Sequence, residues 1–221
     1  MKLGVLFSGG KDSTYSAWLA KKEGYELSCL ISICSKNKDS FMFHTPAIEL
    51  TKNQAELMGI PLILMETEGE KEKELEDLKK AIKLAIKKYK IEGIVTGAVE
   101  SVYQSTRIQK ICNDLGIECF NSLWQKDQFE LLEDLIKNGF KVIISGVAAY
   151  PLNEKWINRE IDLSFLKEIK VLNEKYKINP AAEGGEFESL VLNCPLFKKR
   201  LDVKLMQTLG EGNSWRGVFD A

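Results

Sequence analysis

Serine, glycine, lysine and aspartate crowd together in "SGGKDS", residues 8–13, directly after the apolar run "KLGVLF" and directly before a helix-like stretch. Gly9 and Gly10 let the backbone approach a ligand closely and take positive φ. The amides that follow open a helix, whose unpaired N–H groups and dipole favour an anion. Ser8 and Ser13 add hydroxyl donors and Lys11 adds a point charge. Asp12 suits such a place only beside a magnesium ion, or as a cap on the helix. The combination points to a phosphate cradle rather than an ordinary serine-capped turn. The spacing is not that of GxxxxGK[ST], and the chain has no GxGxxG.

A second group is "EGGEFES", where Glu183, Glu186 and Glu188 fall within six residues around Gly184 and Gly185. Carboxylates so close repel one another unless a cation such as magnesium, ammonium or a quaternary ammonium neutralises them. From spacing alone, an exposed acidic turn leading into "SLVLNC", with Phe187 in the core, is the simpler reading. In "SVYQSTRIQ", Ser101 can cap a helix from whose first turns Tyr103, Gln104 and Arg107 project. Arg107 suits bidentate capture of a phosphate or carboxylate, or is a surface arginine. His44 is the sole histidine; on a loop it reads as solvated or structural. Trp124 and Trp156 read as packing residues, although an aromatic face also attracts a quaternary ammonium.

These residues need a scaffold, and the first half of the chain supplies an alternating one. Strands are expected at 2–7, 27–34, 61–66 and 93–99. Between them come helices at 12–22, from Thr45 and Pro46 to Gly59, and at 70–89. In the last, Leu75, Leu78, Ile82, Ala85, Ile86 and Tyr89 share one face. Repeated strand–helix units mean an α/β fold, a doubly wound parallel sheet whose ligands bind outside the carboxyl ends of the strands. Residues 8–13 sit at that edge. The alternation then loosens: helix 102–115, a weak strand at 117–120, helix 128–138, strand 141–147 and helix 164–176. A boundary near 122 divides a nucleotide-binding domain, 1–122, from a smaller C-terminal α/β domain, 123–221, for the acceptor.

The bulk properties exclude more than they assign. Across 221 residues, 31 Lys and Arg balance 32 Asp and Glu, giving a net charge of −1. That is no field for steering onto nucleic acid. Cys29, Cys34, Cys112, Cys119 and Cys194 are odd in number and scattered, so neither a zinc site nor a disulfide framework is suggested. Free thiols in a reducing compartment are expected. There is no signal peptide and no apolar run long enough for a bilayer, so a soluble, cytoplasmic protein without membrane partners is expected. Oligomeric state is not legible.

The strand–SGGKDS–helix unit resembles the pyrophosphate loop of the ATP pyrophosphatases, which cleave ATP between the α and β phosphates and transfer AMP to an oxygen of the substrate. The loop does not name the acceptor. Sulfur-transferring relatives commonly use paired cysteines or a basic RNA-binding extension, and glutamine-dependent ones carry an amidotransferase domain; this chain shows neither. "TGAVESVYQSTRIQKIC" (96–112) and "AEGGEFESLVLNCPLF" (182–197) resemble the two signatures of the diphthine–ammonia ligase family, and "FMFHTP" (41–46) and "SLW" (122–124) fall where that family has similar stretches. Ala182 and Asn158 stand where glycine is expected, Ser189 for threonine and Ser122 for proline. The resemblance implies ATP and Mg2+ as cofactors, ammonium, and diphthine-bearing elongation factor 2 as substrate. Diphthine would be amidated through an acyl adenylate, with AMP and pyrophosphate released. It implies catalytic roles for Lys11, Asp12, Arg107 and Glu186. Ser8, Gly9, Gly10, Lys11, Asp12, Ser13, Ile33, His44, Gly97 and Gln104 would bind nucleotide, with Asp12 on the metal. Tyr103, Gln104, Arg107, Glu183, Gly184, Gly185, Glu186 and Glu188 would bind the acceptor. Another acceptor, such as a tRNA base, and a non-catalytic nucleotide-binding module remain the alternatives.

Overall fold

The computed structural model describes residues 1–35, 50–68 and 73–221. His44 and the expected Thr45–Pro46 helix start lie outside the described residues.

The first sheet contains β1 (Lys2–Leu6), β2 (Glu26–Ser35), β3 (Leu62–Thr67), β4 (Gly93–Val95) and β5 (Glu118–Phe120). Their order is β3-β2-β1-β4-β5, and every pairing is parallel. Parallel neighbours need crossovers, supplied by α1 (Lys11–Lys22), α2 (Thr51–Met58), α3 (Lys73–Tyr89) and α4 (Val102–Leu115). Successive strand residues face opposite sides, so both faces are apolar. On one side Leu3, Val5 and Leu30 pack with Ala17 and Ala20 of α1 and Met58 of α2. On the other, Cys29, Ile31 and Ile33 meet Leu78, Ile82 and Ala85 of α3 and Ile108 of α4. The expected stripe of α3 is thus one packing face, with Leu75, Ile86 and Tyr89 at its rim. Chain order runs outward from β1 to β3, then returns to β1's other side at β4. The carboxyl ends of β1 and β4 therefore flank a topological switch point.

The second sheet has the order β7-β6-β9-β8 and antiparallel pairings. It comprises β6 (Lys141–Val147), β7 (Phe187–Asn193), β8 (Lys204–Glu211) and β9 (Ser214–Asp220). Helices α5 (Gln128–Lys137) and α6 (Leu163–Tyr176) cover it, burying Leu131, Leu135, Phe165 and Ile169 against Val142, Ile144 and Val191. The 93–99 strand is shorter than expected. After Val95 the chain turns so that Gly97 presses against the first turn of α1. A Cβ there would stand 2.7 Å from the Ser13 nitrogen, closer than real contacts allow. All five cysteines are free thiols.

Candidate active site

The β1–α1 loop is built by its own hydroxyls. Gly10 is the N-cap of α1 with extended backbone and no side-chain cap, so the Asp12 and Ser13 N–H groups are left uncapped. Ser8 N donates to Ser13 Oγ at 3.2 Å, and the two serine hydroxyls lie 3.1 Å apart. Ser13 and Thr14 hydroxyls both donate to the Gly10 carbonyl. Gly9 sits at φ +78°, in the left-handed region open to glycine. Lys11 is 3% exposed, and its ammonium lies 2.8 Å from Asp12 Oδ2. The other oxygen, Asp12 Oδ1, is buried and accepts no hydrogen bond. Asp12 is therefore not the helix cap.

Across from this loop lies the turn before β7, and between them is a cavity of about 490 Å3. Its walls include Ser8, Gly10, Lys11 and Asp12 from the loop; Gly97, Ala98, Ser101 and Gln104 from the β4–α4 corner; and Ala182–Gly185 with Phe187–Ser189. Ser101 caps α4 as expected, its hydroxyl accepting from Gln104 N. Ser189 Oγ accepts from Lys11 N at 3.1 Å, which fastens the two walls together. Glu183 faces the cavity, with Oε2 accepting from Glu100 N at 3.2 Å. Burial first, and then the negative charge of Asp12, push its carboxyl up to about 7, against the pull of Lys11 and the Glu100 N–H; the Glu100 carboxylate adds to the rise. The loop fits a polyanion: uncapped amides, two hydroxyls and a buried ammonium. The orphaned Asp12 Oδ1 fits a hard cation such as magnesium. No group of three His, Cys, Asp or Glu among the described residues is arranged around a metal, so phosphate and water would complete its shell.

Family models match both halves of the chain: the diphthamide synthase N-terminal domain over residues 1–119, and the diphthamide synthase C-terminal domain over residues 127–219. The chain belongs to the diphthamide synthase family. It is 34% identical over 217 residues to the diphthine–ammonia ligase of Schizosaccharomyces pombe, covering 91% of this chain and 36% of that protein. With the Bos taurus diphthine–ammonia ligase it shares 33% over 227 residues, covering 92% and 83%. The chain thus spans about a third of the first relative's length and most of the second's. Among solved structures, one titled a predicted subunit of tRNA methyltransferase from Methanocaldococcus jannaschii aligns over 90% of this chain and 99% of its own. Its TM-score is 0.45 and its identity 19%.

Of the residues the family resemblance singled out, Ser8, Gly10, Lys11, Asp12, Gly97, Gln104, Glu183, Gly184, Gly185 and Glu188 line the one cavity. Ser13 shapes its floor through the bonds above, and Gly9 through its left-handed turn. Four residues stand elsewhere. Ile33 is 4% exposed within the core between the sheet and α3, because its position in β2 sends its side chain to that face. Arg107 lines a separate cavity between α3 and α4 with Lys79, Lys110 and Asp114. It stacks 3.5 Å above the Tyr103 ring, four positions back on the helix, and neither lines the cavity that Gln104 enters. Glu186 turns away from the cavity. Its carboxylate accepts from Asn179 N, Asn179 Nδ2 and Gly184 N at 2.8–2.9 Å, stapling its own turn. The side chains of Glu186, Arg107 and Ile33 thus stand apart from the cavity that gathers the other candidates. Trp156 is buried beneath Arg159 and packs on Phe165.

Sequence reasoning passed over Gln128 and Gln54. Gln128 donates to Glu100 Oε1 and to Asn179 Oδ1, and accepts from Ala181 N, tying the two sides of the acidic rim. Its signal was a polar residue at a core position of α5.

Proposed function

We propose that this protein uses ATP to convert the carboxylate of diphthine on elongation factor 2 into the diphthamide amide, with ammonium as nitrogen source. One observation carries the reading: the anion cradle at residues 8–13 and the acidic turn at 183–188 form facing walls of one cavity. The names of the matched relatives support the same acceptor. A carboxylate oxygen attacks the α phosphorus, pyrophosphate leaves, and ammonia then displaces AMP to give the amide. Loop amides, the Ser8 and Ser13 hydroxyls and Lys11 hold the phosphate tail and offset the charge that grows on the departing pyrophosphate. Magnesium bound at Asp12 would add to that offset. Fixing both partners in one cavity supplies much of the rate by orientation. Glu183, titrating near neutrality, is suited to take the proton that ammonium must lose before it can attack.

A cytoplasmic location goes with that protein substrate. No helix among the described residues is long and apolar enough to cross a membrane. The near-neutral charge gives no reason to invoke a nucleic-acid substrate. The test is incubation with ATP, ammonium and diphthine-bearing elongation factor 2, followed by intact-mass measurement of the factor. The expected result is exchange of one hydroxyl for one amino group with one AMP released per exchange. AMP release that depends on RNA, with the factor unchanged, contradicts the proposal.

A further inference from the structure

Gln54 of α2 is fully buried beneath the phosphate loop. Its Nε2 donates to the Gly9 carbonyl at 3.0 Å and to the Val191 carbonyl at 2.8 Å. Two carbonyls facing one nitrogen fix the amide's orientation. Val191 N also donates to the Gly9 carbonyl, at 3.1 Å. Gly9 oxygen is therefore held from two directions, once by α2 and once by β7 of the second sheet. The other end of the amide, Gln54 Oε1, is buried without a partner, and a side chain at Gly9 would collide with it. A leucine or methionine would fill this space without an orphaned oxygen. The two donated bonds are what the amide adds.

Their effect follows from peptide geometry. In a trans peptide the C=O of Gly9 and the N–H of Gly10 point in opposite directions. Anchoring the oxygen beneath the loop turns the Gly10 N–H toward the Ser8 hydroxyl, 3.4 Å away, on the cavity side. We infer that Gln54 is a positioning residue that aims the Gly9–Gly10 peptide at the bound triphosphate and ties that aim to β7, the strand that also brings Phe187, Glu188 and Ser189 into the cavity. Ser189 Oγ repeats the tie one residue pair further on, at Lys11 N. The inference rests on the proposed use of ATP and deepens it: the strand that carries the acceptor wall also anchors the phosphate grip.

The experiment compares wild type with Gln54→Met in the full chain. Affinity for a non-hydrolysable ATP analogue is read by calorimetry, and initial rates give KM for ATP and for ammonium. The variant is expected to bind the analogue about tenfold or more weakly, the loss of one well-placed hydrogen bond to a charged group. KM for ammonium stays close to wild type. A purely structural amide predicts a lower Tm with analogue affinity unchanged in the folded fraction, and that result overturns the inference. Should Gln54→Met fail to fold, Gln54→Asn keeps an amide too short to span both carbonyls and gives the same comparison. Wild type that binds no nucleotide overturns both this inference and the proposed function; wild type that binds, with variants binding equally well, overturns the inference alone.

Discussion

Glu183→Gln tests the electrostatics of the cavity through stability rather than turnover. The Glu183 carboxyl rises from an ordinary 4.5 to about 7, chiefly through burial. The native protein therefore holds a proton between those pH values that the unfolded chain has released, and its stability falls as pH rises through that window. A gap of about 2.5 pH units at about 1.36 kcal/mol each is about 3.4 kcal/mol. The side chain keeps some contact with solvent, and screening reduces the expectation to about 2 kcal/mol. Glutamine does not titrate, and its Oε1 can still accept from Glu100 N. Nucleotide-free and metal-free Glu183→Gln should therefore match wild type below pH 4.5 and exceed it by about 2 kcal/mol above pH 7. For a chain of this length that is a rise of about 4–8 °C in Tm. Urea unfolding followed by tryptophan fluorescence across that range reads the difference directly. An offset that does not change with pH, or a variant less stable than wild type above pH 7, refutes the reasoning.

Glu186→Gln sets an NH2 group against donors that the carboxylate now satisfies, so thermal unfolding should show a loss of about 2–4 kcal/mol; unchanged stability means that Glu186 is not the staple of its turn. Ala182 sits at φ +63°, where a non-glycine residue costs about 1–2 kcal/mol and glycine's extra chain entropy about 0.5–1. Ala182→Gly should accordingly raise stability by up to about 1.5 kcal/mol in urea titrations, and a clear loss contradicts the strain. Arg107→Ala should leave KM for ATP and kcat within about threefold of wild type, as substitutions away from a site usually do. A fall of roughly a hundredfold in steady-state turnover would return Arg107 to the reaction.

Local chemistry made much of this molecule legible in advance. The "SGGKDS" loop, the Ser101 cap and the α3 stripe are written in adjacent residues, and periodicity or capping reads them directly. The parallel sheet follows because each crossover carries a helix and the central strands β1, β2 and β4 are apolar on both faces. Long-range choices were not legible. Three glutamates around two glycines do not reveal which one folds back: Glu186 is taken by Asn179 and the Gly184 amide, whereas Glu183 and Glu188 remain at the cavity. Ile33 alternates onto the α3 face by the register of β2, which depends on β1 and β3. Gln54 and Ser189 act on a loop 45 and about 180 residues away. The β8–β9 hairpin did carry a signal: Gly212 and Asn213 form a two-residue loop between segments pairing Glu211 with Ser214. The expected glycines at 158 and 182 find a physical reason, since Asn158 and Ala182 both take positive φ.

The central claim is that residues 8–13 grip a triphosphate whose α phosphorus opens onto the 183–189 wall. A crystal structure with a non-hydrolysable ATP analogue and magnesium measures it most directly. The account predicts the β and γ phosphates against the amides of Gly10, Asp12 and Ser13 and the Lys11 ammonium, the metal at Asp12 Oδ1, and the α phosphate facing Glu183 and Glu188. A triphosphate bound in the cavity beside Arg107 and Lys79, with the glycine loop empty, contradicts it.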